Sequence, residues 1–289
     1  MNHILEIKNV NKSYDNFRLK NVSFTLDKGY IMGFIGPNGA GKSTTIKLIM
    51  NLLKRDSGEI KVFGLDNIKD EREIKQKIGF IYDKNHFYDE LTLKNMKKII
   101  SNFYDNWNDN LYHKYIKSFD LNEEKRIKEL SKGMQMKFSL ALALSHDAQL
   151  IIMDEPTSGI DPIFRSELLD ILMDIIQDED KAIFFSTHIT TDLEKIADYI
   201  TLINDGNLLF SKSKEEVLDN YSIVKGSNEI LTEELKKKFI GIKNNKFGFE
   251  ALTLEAIGIR KDYGERLMIE RPTIDDIMLY TYRGNKKNV

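Results

Sequence analysis

The chain has 289 residues, 41% hydrophobic and 30% charged, with a formal net charge of -2. This balance excludes a disordered chain and a wholesale nucleic-acid binder, so no nucleic-acid partner is expected. The absence of cysteine excludes disulfides and cysteine-held metals and suits a reducing compartment.

The opening MNHILEIKNVNKSY lacks a basic segment followed by an apolar one, so no secretory leader is expected. No apolar run approaches the roughly 18 to 20 residues that span a bilayer. Ile4–Val10 and Asn21–Gly29 alternate with period two and end in turn residues, as strands do. Tyr30–Gly36 is a continuous apolar run, the pattern of a buried strand. Lys42–Leu53 has helical spacing, and GEIKVFG is another short strand. From Thr92 to His146 the pattern is mostly helical. Leu150–Pro156 is a second buried strand, with a helix predicted near Pro162–Gln177 and a strand over Lys181–His188. Asp198–Ser213 is a hairpin with Asp205-Gly206 at its turn. Strands alternating with helices predict an α/β fold. After Asn220 the composition shifts. Charged LTEELKKKF and strand-like FGFEALTLEAIGI and ERLMIE predict a small α+β accessory domain over 221–289, behind a main domain over 1–220.

GPNGAGKST, Gly36 to Thr44, fits G-x-x-x-x-G-K-[ST] between a buried strand and a helix. Gly36, Pro37, Asn38, Gly39, Ala40 and Gly41 shape a loop whose N–H groups converge on phosphate oxygens at a positive helix end. Lys42 places a charge on the β- and γ-phosphates, and Ser43 and Thr44 bring hydroxyls to the same place, Ser43 towards magnesium. Asp154 ends an apolar strand where a carboxylate reaches bound magnesium, and Glu155 beside it can polarise a water. Such a pair is also found in plain solvated turns. His188 ends the strand FFSTH, where α/β sheets bind ligands, although a lone histidine often only holds structure. LSKGMQ, Leu130 to Gln135, is open to two readings: an ordinary serine N-cap or a second phosphate contact.

In the order GPNGAGKST, LSKGMQ, LIIMDEP, SGID, STH, the chain resembles the ATP-binding subunits of ABC transporters over roughly residues 1–220. The resemblance implies a mixed sheet core, an antiparallel β subdomain and a helical subdomain at about 84–148. It implies ATP and Mg²⁺ as cofactors, and catalytic roles for Glu155 and His188. Ser131 and Gly133 would grip, in trans, the ATP seated on the other subunit's phosphate loop. Lys132 and Met134 depart from the usual pattern, and Lys132 adds positive charge there. Tyr14 in KSYDN matches the aromatic that stacks on adenine, and Ser158 and Asp161 match the segment that crosses the dimer interface. The family's usual glutamine after IGFIY is replaced by Asp83, which is shorter and anionic but can still coordinate magnesium, and is kept as an ATP-site candidate.

NHFYDELTLKN and RPTIDDIMLYTYRG are similar to drug- and peptide-export branches of the family, including bacitracin-efflux and phenol-soluble-modulin exporters. The implied partners are a separate integral-membrane permease and a second ATPase subunit. The implied place is cytoplasmic, on the inner face of the membrane. A ribosome-acting relative would carry two cassettes, and a chromosome-type one a long coiled coil; this chain has one phosphate loop and no sustained heptads. An ATP-gated clamp without hydrolysis would lack Glu155. Phe103–Phe119, rich in aromatics, is expected to be core of the helical region rather than a docking face. Lys236–Lys238 is expected to be a solvated helix face.

Overall fold

The computed structural model describes residues 3–82 and 86–286, and divides into two units, Met1–Ser211 and Lys212–Val289. In the first unit, β1 (His3–Tyr14) and β2 (Phe17–Asp27) pair antiparallel; β1 runs past both ends of its predicted strand, and β2 starts four residues before Asn21 but ends at Asp27, short of Gly29. Register shifts between Ile7 and Val10 and between Val10 and Lys12 interrupt the period-two pattern. Asn9 (φ 49°) and Asn21 (φ 47°) take left-handed backbone there, which asparagine tolerates.

β3 (Ile31–Ile35) leads through the phosphate-loop sequence into α1 (Lys42–Ile49). This helix is shorter than its apolar spacing predicts. Asn51 turns left-handed at φ 53°, and Leu52 N donates back to Lys47 O at 2.8 Å, closing the C-terminus. There follow β4 (Ser57–Val62), β5 (Leu65–Asp66), α2 (Glu71–Gln76), β6 (Ile78–Ile81), α3 (Leu93–Ser101), α4 (Asp109–Ser118), α5 (Lys132–Leu144), β7 (Leu150–Asp154), α6 (Pro162–Ile175), β8 (Ala182–Thr187), α7 (Thr190–Ile196), β9 (Tyr199–Asn204) and β10 (Asn207–Ser213).

These strands form one mixed sheet in the order β5-β4-β1-β2-β10-β9-β3-β8-β7-β6. Neighbours from β9 to β6 are parallel, and β5-β4-β1-β2 forms an antiparallel wing. β3, β7 and β8 are buried at every residue, as expected where helices cover both faces. The core centres on Phe24, Phe34 and Phe184, whose ring centroids lie 5.3–5.8 Å apart. The predicted hairpin turn has both Asp205 (φ 45°) and Gly206 (φ 71°) left-handed, which matches strand twist.

Between β6 and β7, Thr92 caps α3 through Asn95 N, and Asn108 caps α4 through Leu111 N. Most of the aromatic run here is packed inward. Tyr112 and Phe119 are buried and Tyr104 stacks on His146 at 3.7 Å, while Phe103 is 71% exposed. Burial pushes the His146 imidazole down to about 4, with Nδ1 3.2 Å from Gln76 O.

The second unit contains α8 (Lys214–Asn220), β11 (Ser222–Gly226), α9 (Glu233–Lys237), β12 (Gly241–Asn245), β13 (Gly248–Thr253), α10 (Ala256–Tyr263), β14 (Met268–Glu270) and α11 (Ile274–Lys286). Its antiparallel sheet runs β12-β13-β11-β14 over a core that includes Val224, Phe249, Ala251 and Ile259. The strand predicted through FGFEALTLEAIGI stops at Thr253, whose Oγ1 accepts from Glu255 N at 2.9 Å; Ala256–Ile259 is helical instead. That helix buries Ile259 and leaves Ile257 90% exposed. Thr273 and Asp276 cap α11 reciprocally through N–H bonds of 3.1 and 2.9 Å. In Lys236–Lys238, Lys236 pairs with Glu233 and Lys238 with Asp262, so the run is a solvated, ion-paired face. No helix among the described residues is long and apolar enough to cross a membrane.

Candidate nucleotide site

Parallel register brings three strand ends together. Ile35 of β3 pairs with Thr187 of β8, and Ser186 of β8 pairs with Asp154 of β7. Gly36, His188 and Glu155 therefore leave the sheet along one edge, where open α/β sheets place their ligands.

The loop from Gly36 is shaped by its glycines. A Cβ on Gly36 would lie 2.2 Å from Ile203 O, so only glycine lets the loop leave β3 beside β9. Gly39 (φ 82°) and Gly41 (φ 113°) are left-handed, and a Cβ on Gly39 would meet nothing within 4 Å, which marks open space on that side. Pro37, Asn38 and Ala40 complete the turn, with Ala40 N bonded to Pro37 O at 3.1 Å. Lys42 begins α1, with exposed Ser43 and half-buried Thr44 behind it. Lys42 is only 6% exposed and donates to Gly36 O at 2.8 Å.

Glu155 sits between Lys42 and His188. Its Oε1 is 3.1 Å from Lys42 Nζ and its Oε2 is 2.7 Å from His188 Nδ1. Its backbone is left-handed at φ 51°, a strained conformation for a residue with a Cβ. Two bonds from Glu155 N, to Ser186 O at 3.0 Å and Ser186 Oγ at 3.2 Å, hold that turn. Ser186 also donates Oγ–H to Asp154 Oδ1 at 2.6 Å in a fully buried position. Ser186 thus orients the Asp154 carboxylate and anchors the backbone of Glu155, a role the sequence reading passed over; the signal was its place two residues before His188 on an apolar strand.

Tyr14 ends β1 and is 45% exposed. Its ring centroid is 6.4 Å from that of Phe17, whose tip would be 3.0 Å from a Cβ on Gly41. Phe17, also absent from the sequence reading, connects Tyr14 to the phosphate loop. A hydroxyl (Ser43) and a carboxylate (Asp154) form a hard-oxygen donor set that fits magnesium. Asp83 lies outside the described residues.

The remaining predicted residues gather elsewhere on the unit. Ser131 is the N-cap of α5 and accepts from Met134 N at 3.2 Å, so its local capping role holds. Gly133 lets Phe164 approach: a Cβ there would be 2.9 Å from the ring. Asp161 caps α6 through Ile163 N and Phe164 N at 3.1 and 2.9 Å. Ser131, Gly133 and Asp161 line one open groove of about 360 Å³. The structure therefore brings together Lys42, Asp154, Glu155 and His188, and separately Ser131, Gly133 and Asp161.

A family profile for "ABC transporter" matches residues 19–158. The ABC transporter ATP-binding protein YtrB of Bacillus subtilis is 32% identical over 219 residues, 75% of each chain. The bacitracin transport ATP-binding protein BcrA of Bacillus licheniformis is 32% identical over 212 residues, 72% of this chain and 69% of that one. Among solved structures, an ATP-binding subunit of an ABC transporter superposes with a TM-score of 0.69 at 26% identity, covering 75% of this chain and 92% of its own. A nucleotide-free ATP-binding cassette shares the fold at 22% identity and a TM-score of 0.66, covering 75% and 94%.

Proposed function

The chain belongs to the ATP-binding subunits of ABC transporters, which are ATPases, and from that premise we propose that it powers export of peptides, toxins or drugs through a separate membrane permease. The observation that carries the catalytic part is the Lys42–Glu155–His188 cluster at the mouth of the phosphate loop. Similarity to BcrA, named as a bacitracin transport protein, supports the substrate class. We place the chain on the inner face of the cell membrane, held there by its permease.

Backbone N–H groups at the start of α1 bind the phosphates, and Tyr14 stacks on the adenine. A magnesium ion held by Ser43 and Asp154 would neutralise phosphate charge. Lys42 exchanges the Glu155 carboxylate for the γ-phosphate. Glu155, released on that side, takes a proton from the water whose oxygen attacks phosphorus as the bond to ADP breaks. His188 holds the other Glu155 oxygen through Nδ1 and keeps the carboxylate aimed. Two copies close head to tail, each offering its Ser131 turn to the other's ATP. Hydrolysis lets them part, and this movement drives the permease.

The experiment expresses the chain with its permease in a bacitracin-sensitive host. Raised bacitracin tolerance that disappears with Lys42→Ala supports the reading. Unchanged tolerance, together with unchanged accumulation of cationic peptides and drugs, overturns the export assignment.

A further inference from the structure

The two residues that depart from the family pattern in LSKGMQ are Lys132 and Met134, and the structure gives the first of them specific work. Lys132 is the first residue of α5. A cation there faces the positive end of the helix dipole, an unfavourable place by about 0.3–1 kcal/mol. Its ammonium does not stand free. Lys132 Nζ donates to the carbonyl of Ser158, in the turn between β7 and α6. Gly159 is left-handed at φ 68°, and a Cβ on it would lie 3.2 Å from that same ammonium.

More contacts run along the same seam. Gly133 admits the Phe164 ring, Lys137 Nζ lies 5.3 Å from its centroid, and the same ammonium pairs with Glu167 at 2.8 Å. The far end of the segment is tied as well: Arg165 Nε bonds buried Asp192 of α7 at 2.6 Å. The segment 158–165 is thus held at one end by the start of α5 and at the other by the helix that follows His188.

We propose that Lys132 is a positioning residue that straps the Ser131 turn to the Ser158–Asp161 turn, so that the two present themselves to a second copy as one preformed surface. This rests on the sandwich reading above. The strap acts before the copies meet. Without it the turns move separately, and closing the dimer must order both. Lys132 takes no part in binding ATP on its own subunit's phosphate loop; its ammonium is engaged with the Ser158 carbonyl instead.

The test uses the full chain with Glu155→Gln as background, and measures ATP-dependent dimer formation by light scattering. Dimerisation of that background with ATP is the control for the sandwich reading; if it stays monomeric, both the reading and the strap fall. With the control in place, adding Lys132→Met should raise the ATP concentration for half-maximal dimer formation about fivefold, the scale of one exposed charged hydrogen bond. Affinity of the monomer for a fluorescent ATP analogue stays unchanged. In the hydrolysis-competent chain, Lys132→Met raises KM for ATP with kcat within about twofold, and Lys132→Arg restores the parent value. Lys132 is exposed, so the variant folds, and an unshifted thermal midpoint verifies it. Equal dimer formation with and without Lys132→Met would overturn the strap alone, as would equal loss in the arginine variant.

Discussion

Glu155→Gln removes one anion from the middle of the site while keeping its shape. At 3.1 Å the Lys42–Glu155 attraction amounts to about 5 kcal/mol gross at an effective dielectric constant near 20. Desolvation of two largely buried groups, 6% and 16% exposed, cancels most of this and leaves a net of about 1–2 kcal/mol. ATP must displace this pairing before its γ-phosphate reaches Lys42. The amide offers Lys42 only a neutral oxygen, so ATP should bind about tenfold more tightly to the variant. Turnover should fall by about 10²–10⁴, the usual contribution of a positioned base. A fluorescent-ATP titration and a phosphate-release assay measure the two effects on one preparation. Turnover within threefold of the parent removes Glu155 from the base role. Weaker ATP binding refutes the competition between carboxylate and phosphate.

Ser186→Ala leaves buried Asp154 short of its 2.6 Å partner, so the folded state should lose about 1–2 kcal/mol in chemical denaturation, and half-maximal activity should need several-fold more magnesium. A variant with the parent's magnesium dependence would show that Ser186 does not orient Asp154. Tyr14→Ala should raise KM for ATP about tenfold or more while Tyr14→Trp preserves it, read from steady-state kinetics. His146 is neutral when folded and protonates near 6.5 when unfolded, so between about pH 4 and 6.5 the unfolded chain binds more protons. Stability is therefore full above pH 6.5 and declines by about 3 kcal/mol as pH falls to 4. Urea midpoints across that range should fall less steeply for His146→Phe, and parallel slopes would count against burial as the cause.

The sequence by itself determined the α/β class, the phosphate loop and the order of the chemical motifs. Each of these is local: Gly36–Thr44 carries its own turn glycines and helix start, and Asp205-Gly206 its own hairpin geometry. Local patterns failed where tertiary forces intervened. Bulges at Asn9 and Asn21 hid the length of β1 and β2, and Asn51 cut α1 short of Leu53. Ala256–Ile259 alternated like a strand yet forms a helix, which buries Ile259 and leaves Ile257 exposed. What only the tertiary structure decided is which groups meet. Lys42, Glu155 and His188 are far apart in the chain and touch because β3, β8 and β7 are neighbours in one parallel sheet. Ser186 beneath the carboxylates and Lys132 on the Ser158 carbonyl follow from that same packing. A hydrogen bond between distant residues is selected by the fold that places them, and no spacing within a short run encodes it.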